Sequence, residues 1–418
     1  MKVQPHDTAA IVTVGTEITT GLRLDTNTRH IASALAAAGH RVTETVSVPD
    51  DAGVLTDTLS RLCAAHRLVV CTGGLGPTHD DITLEAASLA LGLQLHPDES
   101  LLERLGRPAA LQRDPAASAQ VMRQALVPEG ARILYPGTGT APGLIISVPD
   151  SSDHRLLLLP GPPAEMEPML RAFLGERVNR ATPRAARCAG ISESDAQLAA
   201  QKVLAGRTDI GLTVLASPGD VHVVLLDEGA GAPDLDATLG SIREALAEVC
   251  YSTQGESLAE VVVNNARKAG ITLAVAESCT GGLVGGSLTA VAGSSSVFLG
   301  GVIAYADEIK SSLLGVGATT LAAHGAVSAQ VAEEMARGAM ERTGAQLAVA
   351  ITGIAGPEGG TTEKPVGLVW FGLARDNGAV TRVSSVHRML HGDRSGVRTR
   401  ATIAALDLLR HELLEERE

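Results

Sequence analysis

Three times in the first 175 residues, an apolar run stops at a glycine-rich turn and gives way to helical spacing. Residues 9–14 end at Gly15, and residues 25–39 then repeat Ile31, Leu35 and Ala38 along one helical face. Residues 68–71 run into Thr72-Gly73-Gly74 before a helical stretch over about 81–91. Residues 156–159 stop at Pro160-Gly161-Pro162-Pro163 before a helix over 164–173. Parallel strands need crossover connections, so this alternation predicts an α/β domain with a mostly parallel sheet. Ligands of such a sheet lie at the carboxyl ends of its strands, where these glycine turns fall.

The pattern changes over residues 187–249. Helical spacing over 195–204 is followed by two strand-like runs, 211–216 and 221–226, around Ser217-Pro218-Gly219-Asp220, and by a helix over 236–249. That reads as a small α+β insert. The polar run 251–256 reads as a linker, after which a helix over 257–269 and a strand over 271–275 open another α/β unit. The expected domains are therefore 1–175, 176–252 and 253–418.

A chain of 418 residues is too long for one core, which agrees with that division. Aromatic residues make up only 2%, so the cores must be built from Ala, Val, Leu and Ile, and stacking platforms for bases are scarce. A formal net charge of −13 opposes direct binding of nucleic acid, which needs a basic surface, but leaves small phosphorylated ligands open. The five cysteines form no CxxC pair and imply neither a zinc site nor a disulfide framework. No apolar stretch reaches membrane-spanning length and the N-terminus lacks a signal-peptide pattern, which predicts a cytoplasmic protein without membrane contact.

Chemistry-bearing residues are densest between 276 and 310. The turn Glu277-Ser278-Cys279-Thr280-Gly281-Gly282 joins a strand to a helix, and hydroxyls with glycine amides at a helix N-terminus can hold an anion or simply cap the helix. Ala292-Gly293-Ser294-Ser295-Ser296 follows, then a strand-like run, Tyr305 and Lys310. A serine becomes a nucleophile beside a base, and a lysine withdrawn from water can serve. A third glycine loop, Thr352-Gly353-Ile354-Ala355-Gly356, follows another apolar run and matches no P-loop or common serine-hydrolase signature.

In the N-terminal region, Gly15-Thr16-Glu17 and Thr72-Gly73-Gly74-Leu75-Gly76-Pro77-Thr78-His79-Asp80-Asp81 close neighbouring strands. The glycines suit phosphates. Glu17, Asp80 and Asp81 suit a divalent metal, while Asp80 and Asp81 equally suit helix capping. Glu165 adds a carboxylate at a third helix start.

Taken together, ESCTGG (277–282), AGSSSVF (292–298), Tyr305 with Lys310, TGIAGPEGG (352–360), KPVG (364–367) and GDR (392–394) resemble the C-terminal domain of the CinA family. The resemblance implies a nicotinamide mononucleotide deamidase without a cofactor. It makes Ser295 the nucleophile, with Ser294 as the alternative, Lys310 the base, and Tyr305 and Ser278 supporting donors. Thr280, Gly281, Gly282, Thr352, Gly353, Gly356 and Arg394 are then the substrate contacts. TGGLGPTHDD (72–81), LPGPPAEM (159–166) and Asp25-Thr26-Asn27 resemble the molybdopterin-binding-like domain that forms the family's N-terminal part. That implies an ADP-ribose pyrophosphatase dependent on Mg2+, Mn2+ or Co2+, with Glu17, Asp80 and Asp81 as ligands and Asn27, Gly73, Gly74 and Gly76 at the substrate. The middle segment fits the family's small connecting domain, and a homodimer is expected.

Overall fold

The structure is a computed structural model that describes residues 8–78, 80–105, 122–135, 137, 139–151, 153–175, 184–227, 234–376, 378 and 380–414. The chain divides into two compact units, Met1–Pro183 and Arg184–Glu418. His79 and the segment 176–183, where the first domain boundary is expected, lie outside the described residues.

The first unit carries β1 (Thr8–Val14), β2 (Arg41–Val48), β3 (Leu68–Thr72), β4 (Leu95–Pro97), β5 (Leu126–Pro128), β6 (Arg132–Leu134), β7 (Gly143–Ser147) and β8 (Arg155–Leu159). Six of them form one sheet in the order β2-β1-β3-β8-β7-β6, and β4 pairs with β5. The first four strands of that sheet are parallel, while β7 and β6 are added antiparallel at one side. Side chains alternate across a strand, and here both faces are apolar. Ile11, Val70 and Leu157 point to the helices Asn27–Ala37 and Pro163–Leu174, while Val12, Val69 and Leu158 point to Ala52–Ala65 and Thr83–Leu91. This is the α/β layering expected from the sequence.

The second unit holds two sheets. β9 (Arg184–Ala189), β10 (Ile210–Ser217), β11 (Asp220–Asp227) and β12 (Cys250–Ser252) form an antiparallel sheet in the order β10-β11-β9-β12. Its core sits under the helices Glu193–Val203 and Leu235–Leu246. The expected linker over 251–256 is corrected in part: Tyr251 is buried in β12, its hydroxyl donating to the Asp220 carboxylate at 2.8 Å. Arg187 and His222 bind the other Asp220 oxygen at 2.7 and 3.0 Å, so polar residues that look loop-like in sequence satisfy one another inside this sheet.

β13 (Leu273–Glu277), β14 (Phe298–Ile303), β15 (Leu347–Gly353), β16 (Leu368–Asp376) and β17 (Thr381–Met389) form the second sheet, ordered β14-β13-β15-β16-β17. β14, β13 and β15 are parallel, and β16 and β17 antiparallel. One face offers Leu273, Val275, Val349 and Phe371 to the helices Leu258–Ala269 and Arg394–Leu414. The other offers Ala274, Ala276, Ala348, Ala350 and Ala374 to Ala329–Thr343. Small residues there let the helix close in: a Cβ on Gly372 would lie 2.0 Å from the Ala332 carbonyl oxygen. Close approach thus replaces aromatic bulk in a chain with three Phe and one Trp.

Candidate active sites

The first site is a cleft of about 470 Å³ across the carboxyl ends of β1, β3 and β8. Glu17, Asn27, Gly73, Gly74, Gly76, Asp80 and Asp81 all line it, so this set of expected residues is brought together. Gly73 has φ +102, and a Cβ there would stand 2.4 Å from the Val14 carbonyl oxygen, so only glycine fits between the two strand ends. Asn27 ties the floor together, its side-chain amide donating to Gly161 O at 2.7 Å and to Thr72 Oγ1 at 3.2 Å.

Asp81 does not cap the following helix. Thr83–Leu91 has Ile82 at its N-cap with no side-chain bond, and Asp81 instead accepts from the Thr78 amide at 2.8 Å and the Thr78 hydroxyl at 2.5 Å. Among the described residues no three His, Cys, Asp or Glu side chains are placed to hold a metal ion, so Glu17, Asp80 and Asp81 share a cleft without forming a ligand cage. The charge is nonetheless telling. Glu17, Asp25, Asp50, Asp80, Asp81 and Glu165 face one described cation, Arg23. These are hard oxygen donors, suited to an ion such as Mg2+ that binds through one or two carboxylates plus substrate phosphates.

The second site lies at the carboxyl ends of β13, β14 and β15. Ser278 follows β13 and is buried, its amide donating to Ile351 O at 2.9 Å; Ala304, after β14, donates to Glu277 O at 2.7 Å. Lys310 is 1% exposed, and its ammonium donates to Tyr305 O at 3.2 Å and to Asp307 Oδ1 at 3.1 Å. Arg394 reaches across from the last helix to the Tyr305 hydroxyl at 3.1 Å and to Gly356 O at 2.8 Å. Thr352 is buried and spends its proton on Ala326 O at 2.7 Å, and it is the register partner of Trp370, whose ring tilts against His387 at 4.7 Å. Gly353 is needed for packing, since a Cβ there would lie 2.7 Å from Val369 Cγ2. Among the described residues Thr280 Oγ1 is fully buried without a hydrogen-bond partner, a cost of about 1–3 kcal/mol.

Ser295 and Ser294 are elsewhere within the chain. They sit in the short turn Ser294–Ser296 before β14, where Val297 O accepts from Leu273 N, while Lys310 follows the far end of that strand. Six residues of strand put the two ends about 20 Å apart. The turn is held by Arg267, which donates to Ser296 Oγ at 3.1 Å and Ala292 O at 2.8 Å; Ser294 is buried and Ser295 exposed. One chain therefore gathers Ser278, Thr280, Tyr305, Lys310, Thr352, Gly356 and Arg394, and does not bring Ser295 to them.

Two side chains that build this site escaped sequence reasoning. Glu277 is 1% exposed, and its carboxylate accepts from the amides of Gly282, Val284 and Gly285 at 2.9, 3.2 and 2.8 Å. Those helix-terminal amides therefore hold the protein's own anion. A carboxylate immediately before a strand-to-helix glycine turn is the signal that marks this cap. Arg398 donates to Cys279 O at 3.0 Å and Thr280 O at 2.9 Å, fixing the turn from the last helix; its position one helical turn after Arg394 is the only sequence hint.

Among the described residues no helix is long and apolar enough to cross a membrane. Residues 255–413 match the family described as CinA C-terminal domain, and residues 10–180 match the one described as probable molybdopterin binding domain. A putative competence-damage inducible protein of Symbiobacterium thermophilum is 42% identical over 423 residues, spanning 97% of this chain and 99% of that protein. A CinA-like protein of Chlorobaculum tepidum is 41% identical over 417 residues, spanning 95% and 97%. A solved competence/damage inducible protein from Agrobacterium tumefaciens is 43% identical, covering 37% of this chain and 93% of its own, with a TM-score of 0.36. With two domain matches in order and such identity over nearly its whole length, the chain belongs to the CinA family.

Proposed function

We propose that the chain is a bifunctional cytoplasmic hydrolase of pyridine-nucleotide turnover. The C-terminal site converts nicotinamide mononucleotide to nicotinic acid mononucleotide and ammonia. The observation that carries this reading is the buried Lys310 amine held on Tyr305 O after β14, with the buried hydroxyls of Ser278 and Thr280 in the turn that follows the neighbouring strand β13. In its free-base form it takes the proton of a serine hydroxyl as the oxygen bonds to the carboxamide carbon. The tetrahedral intermediate then collapses, the C–N bond breaks, and Lys310 returns the proton so that ammonia leaves. Water cleaves the resulting ester and restores the serine. Arg394 takes the substrate phosphate, a role suited to its planar fork of donors. All five cysteines are free thiols, which suits a reducing compartment.

The N-terminal cleft hydrolyses ADP-ribose to AMP and ribose 5-phosphate. Six carboxylates against one described guanidinium would repel a pyrophosphate; Glu17, Asp80 and Asp81 would hold a divalent ion such as Mg2+, Mn2+ or Co2+, whose charge would offset that of the substrate. A second reading has a specific observation behind it: the match to a probable molybdopterin binding domain favours a cleft that only binds a pterin or nucleotide. The full chain, given nicotinamide mononucleotide and ADP-ribose separately, should release ammonia from one and AMP from the other. Absence of ammonia overturns the deamidase, and ADP-ribose bound but uncleaved with added metal leaves the binding module.

A further inference from the structure

We propose that Cys188 and Cys250 form a redox-active thiol pair, which hydrogen peroxide joins into a reversible disulfide that ties the edge strand β12 to β9. The pair stands apart from both hydrolase activities.

Register brings the two residues together. β12 runs antiparallel to β9, with Cys250 directly opposite Cys188. Opposed residues of such strands have Cα atoms about 4.5–5.5 Å apart, inside the range of about 4.4–6.8 Å that a disulfide spans. Both side chains enter the core beneath the helices Glu193–Val203 and Leu235–Leu246. Their sulfurs are already in contact: the Cys188 thiol donates to Cys250 Sγ, which donates in turn to Ser252 O at 3.8 Å. Joining them shortens an existing contact.

The two thiols are unequal. Cys188 is fully buried, while Cys250, on a strand at the sheet edge, keeps 9% of its surface open. The pairing skips Tyr251, since Ser252 is the next residue to face Arg187, and this bulge bends β12 beside Cys250. The hydrogen bond from Cys188, and then the charges of Arg243 and Arg410, hold the Cys250 thiol below its ordinary range despite burial. Donating that bond, together with burial, pushes Cys188 up. Arg410 is fixed there by its hydrogen bond to Glu248 O at 2.6 Å, two residues before Cys250. Burial pushes Cys63 up to about 12, Cys279 up to about 11, and Cys71 upward as well. Thiolate is the species that attacks peroxide, so oxidation starts at Cys250.

The Cys250 thiolate attacks one peroxide oxygen, the O–O bond breaks, and the second oxygen leaves as hydroxide and takes up a proton. Cys250 is then a sulfenic acid. The Cys188 sulfur attacks that sulfur, the S–O bond breaks, and the departing hydroxide leaves as water with the Cys188 proton. Two thiols have given two electrons to one peroxide, with one S–S bond and two waters formed. The new bond closes residues 188–250 into a loop at the point where the small sheet hands the chain to the C-terminal domain. Arg187, next to Cys188, already holds Gly255 O and Glu256 O there at 3.3 and 3.0 Å.

Mass spectrometry on the full chain tests this. The reduced protein, treated briefly with hydrogen peroxide, then unfolded, alkylated and digested, should give one linked pair of peptides, those of Cys188 and Cys250. Cys63, Cys71 and Cys279 should be alkylated, and dithiothreitol should restore all five thiols. Cys188→Ser, whose hydroxyl keeps the hydrogen bond, should stop at a Cys250 sulfenic acid that dimedone captures. Cys250→Ser should give neither product. A bond between other cysteines, a bond that forms only in urea, or none at all overturns the proposal.

A second readout needs no digestion. Oxidation should raise the melting temperature of the second unit by roughly 5–15 °C through the loop it closes, and reduction should reverse the shift. Neither serine variant should show the rise. Linked peptides without that rise would place the bond in misfolded chains and equally overturn the proposal.

Discussion

Arg394 donates to the Tyr305 hydroxyl at 3.1 Å, joining the first turn of the last helix to the end of β14 from 89 residues away. The same guanidinium holds Gly356 O, so one side chain fixes the relative positions of two loops at the C-terminal site. Arg394→Ala should raise KM for nicotinamide mononucleotide by roughly ten- to a hundredfold, with a smaller effect on kcat, because phosphate binding is shared by ground and transition states. Arg394→Lys should recover only part of this, since an ammonium lacks the two-pronged geometry. An unchanged KM for Arg394→Ala would remove Arg394 from substrate binding.

Glu277 makes a prediction about stability rather than rate. Its carboxylate receives three helix-terminal amides in a buried setting. Glu277→Ala should cost about 2–3 kcal/mol, at the upper end for loss of a cap with buried donors left unpaired. That corresponds to a fall of about 4–12 °C in the melting temperature of a unit this size. Glu277→Gln, which keeps an acceptor without the charge, should lie between. A melting curve matching wild type for Glu277→Ala would show that water satisfies those amides.

Asp220 gives a dependence on pH. Burial alone would raise its carboxyl, but hydrogen bonds from His222, Arg187 and Tyr251 outweigh that and hold it below the usual carboxylate range. A depressed folded-state pKa adds stability that is present above the unfolded value, about 3.9, and is lost as pH falls through the folded one. Asp220→Asn should therefore melt well below wild type at pH 7, and the gap should narrow below about pH 4. A gap independent of pH across that range would show that the network acts by packing alone.

The N-terminal reaction should stop in EDTA and return with added Mg2+ or Mn2+, while deamidation continues unaffected. Asp81→Ala removes a cleft carboxylate and also the closure of the Thr78 turn. Release of AMP should fall at least a hundredfold, with ammonia release unchanged. Full activity of Asp81→Ala would leave the turn and the carboxylate without a part in the reaction.

Much of the layering is legible in the sequence because its signals are local. The runs ending at Gly15, Thr72 and Leu159 are short, apolar on both faces and stopped by glycine or proline, as strands buried between two helical layers must be. What stays hidden depends on pairing at long range. Tyr251 looks like linker until Asp220, 31 residues earlier, accepts its hydroxyl. Asp81 looks like a cap because turn closure and capping use the same carboxylate chemistry. Ser295 and Lys310 are only 15 residues apart, yet nothing in their spacing says that a strand lies lengthwise between them.

The register that sets Thr352 opposite Trp370 has a practical consequence. Trp370 is the chain's one tryptophan, so emission excited at the red edge of protein absorbance comes from a single indole beside the C-terminal site. A nucleotide settling at the loop that follows β15 would perturb that emission without any label. A ligand entering the N-terminal cleft has no indole in its own unit to report it. The two proposed binding events in one polypeptide would thus be told apart optically, in the same cuvette, before either is tested by its chemistry.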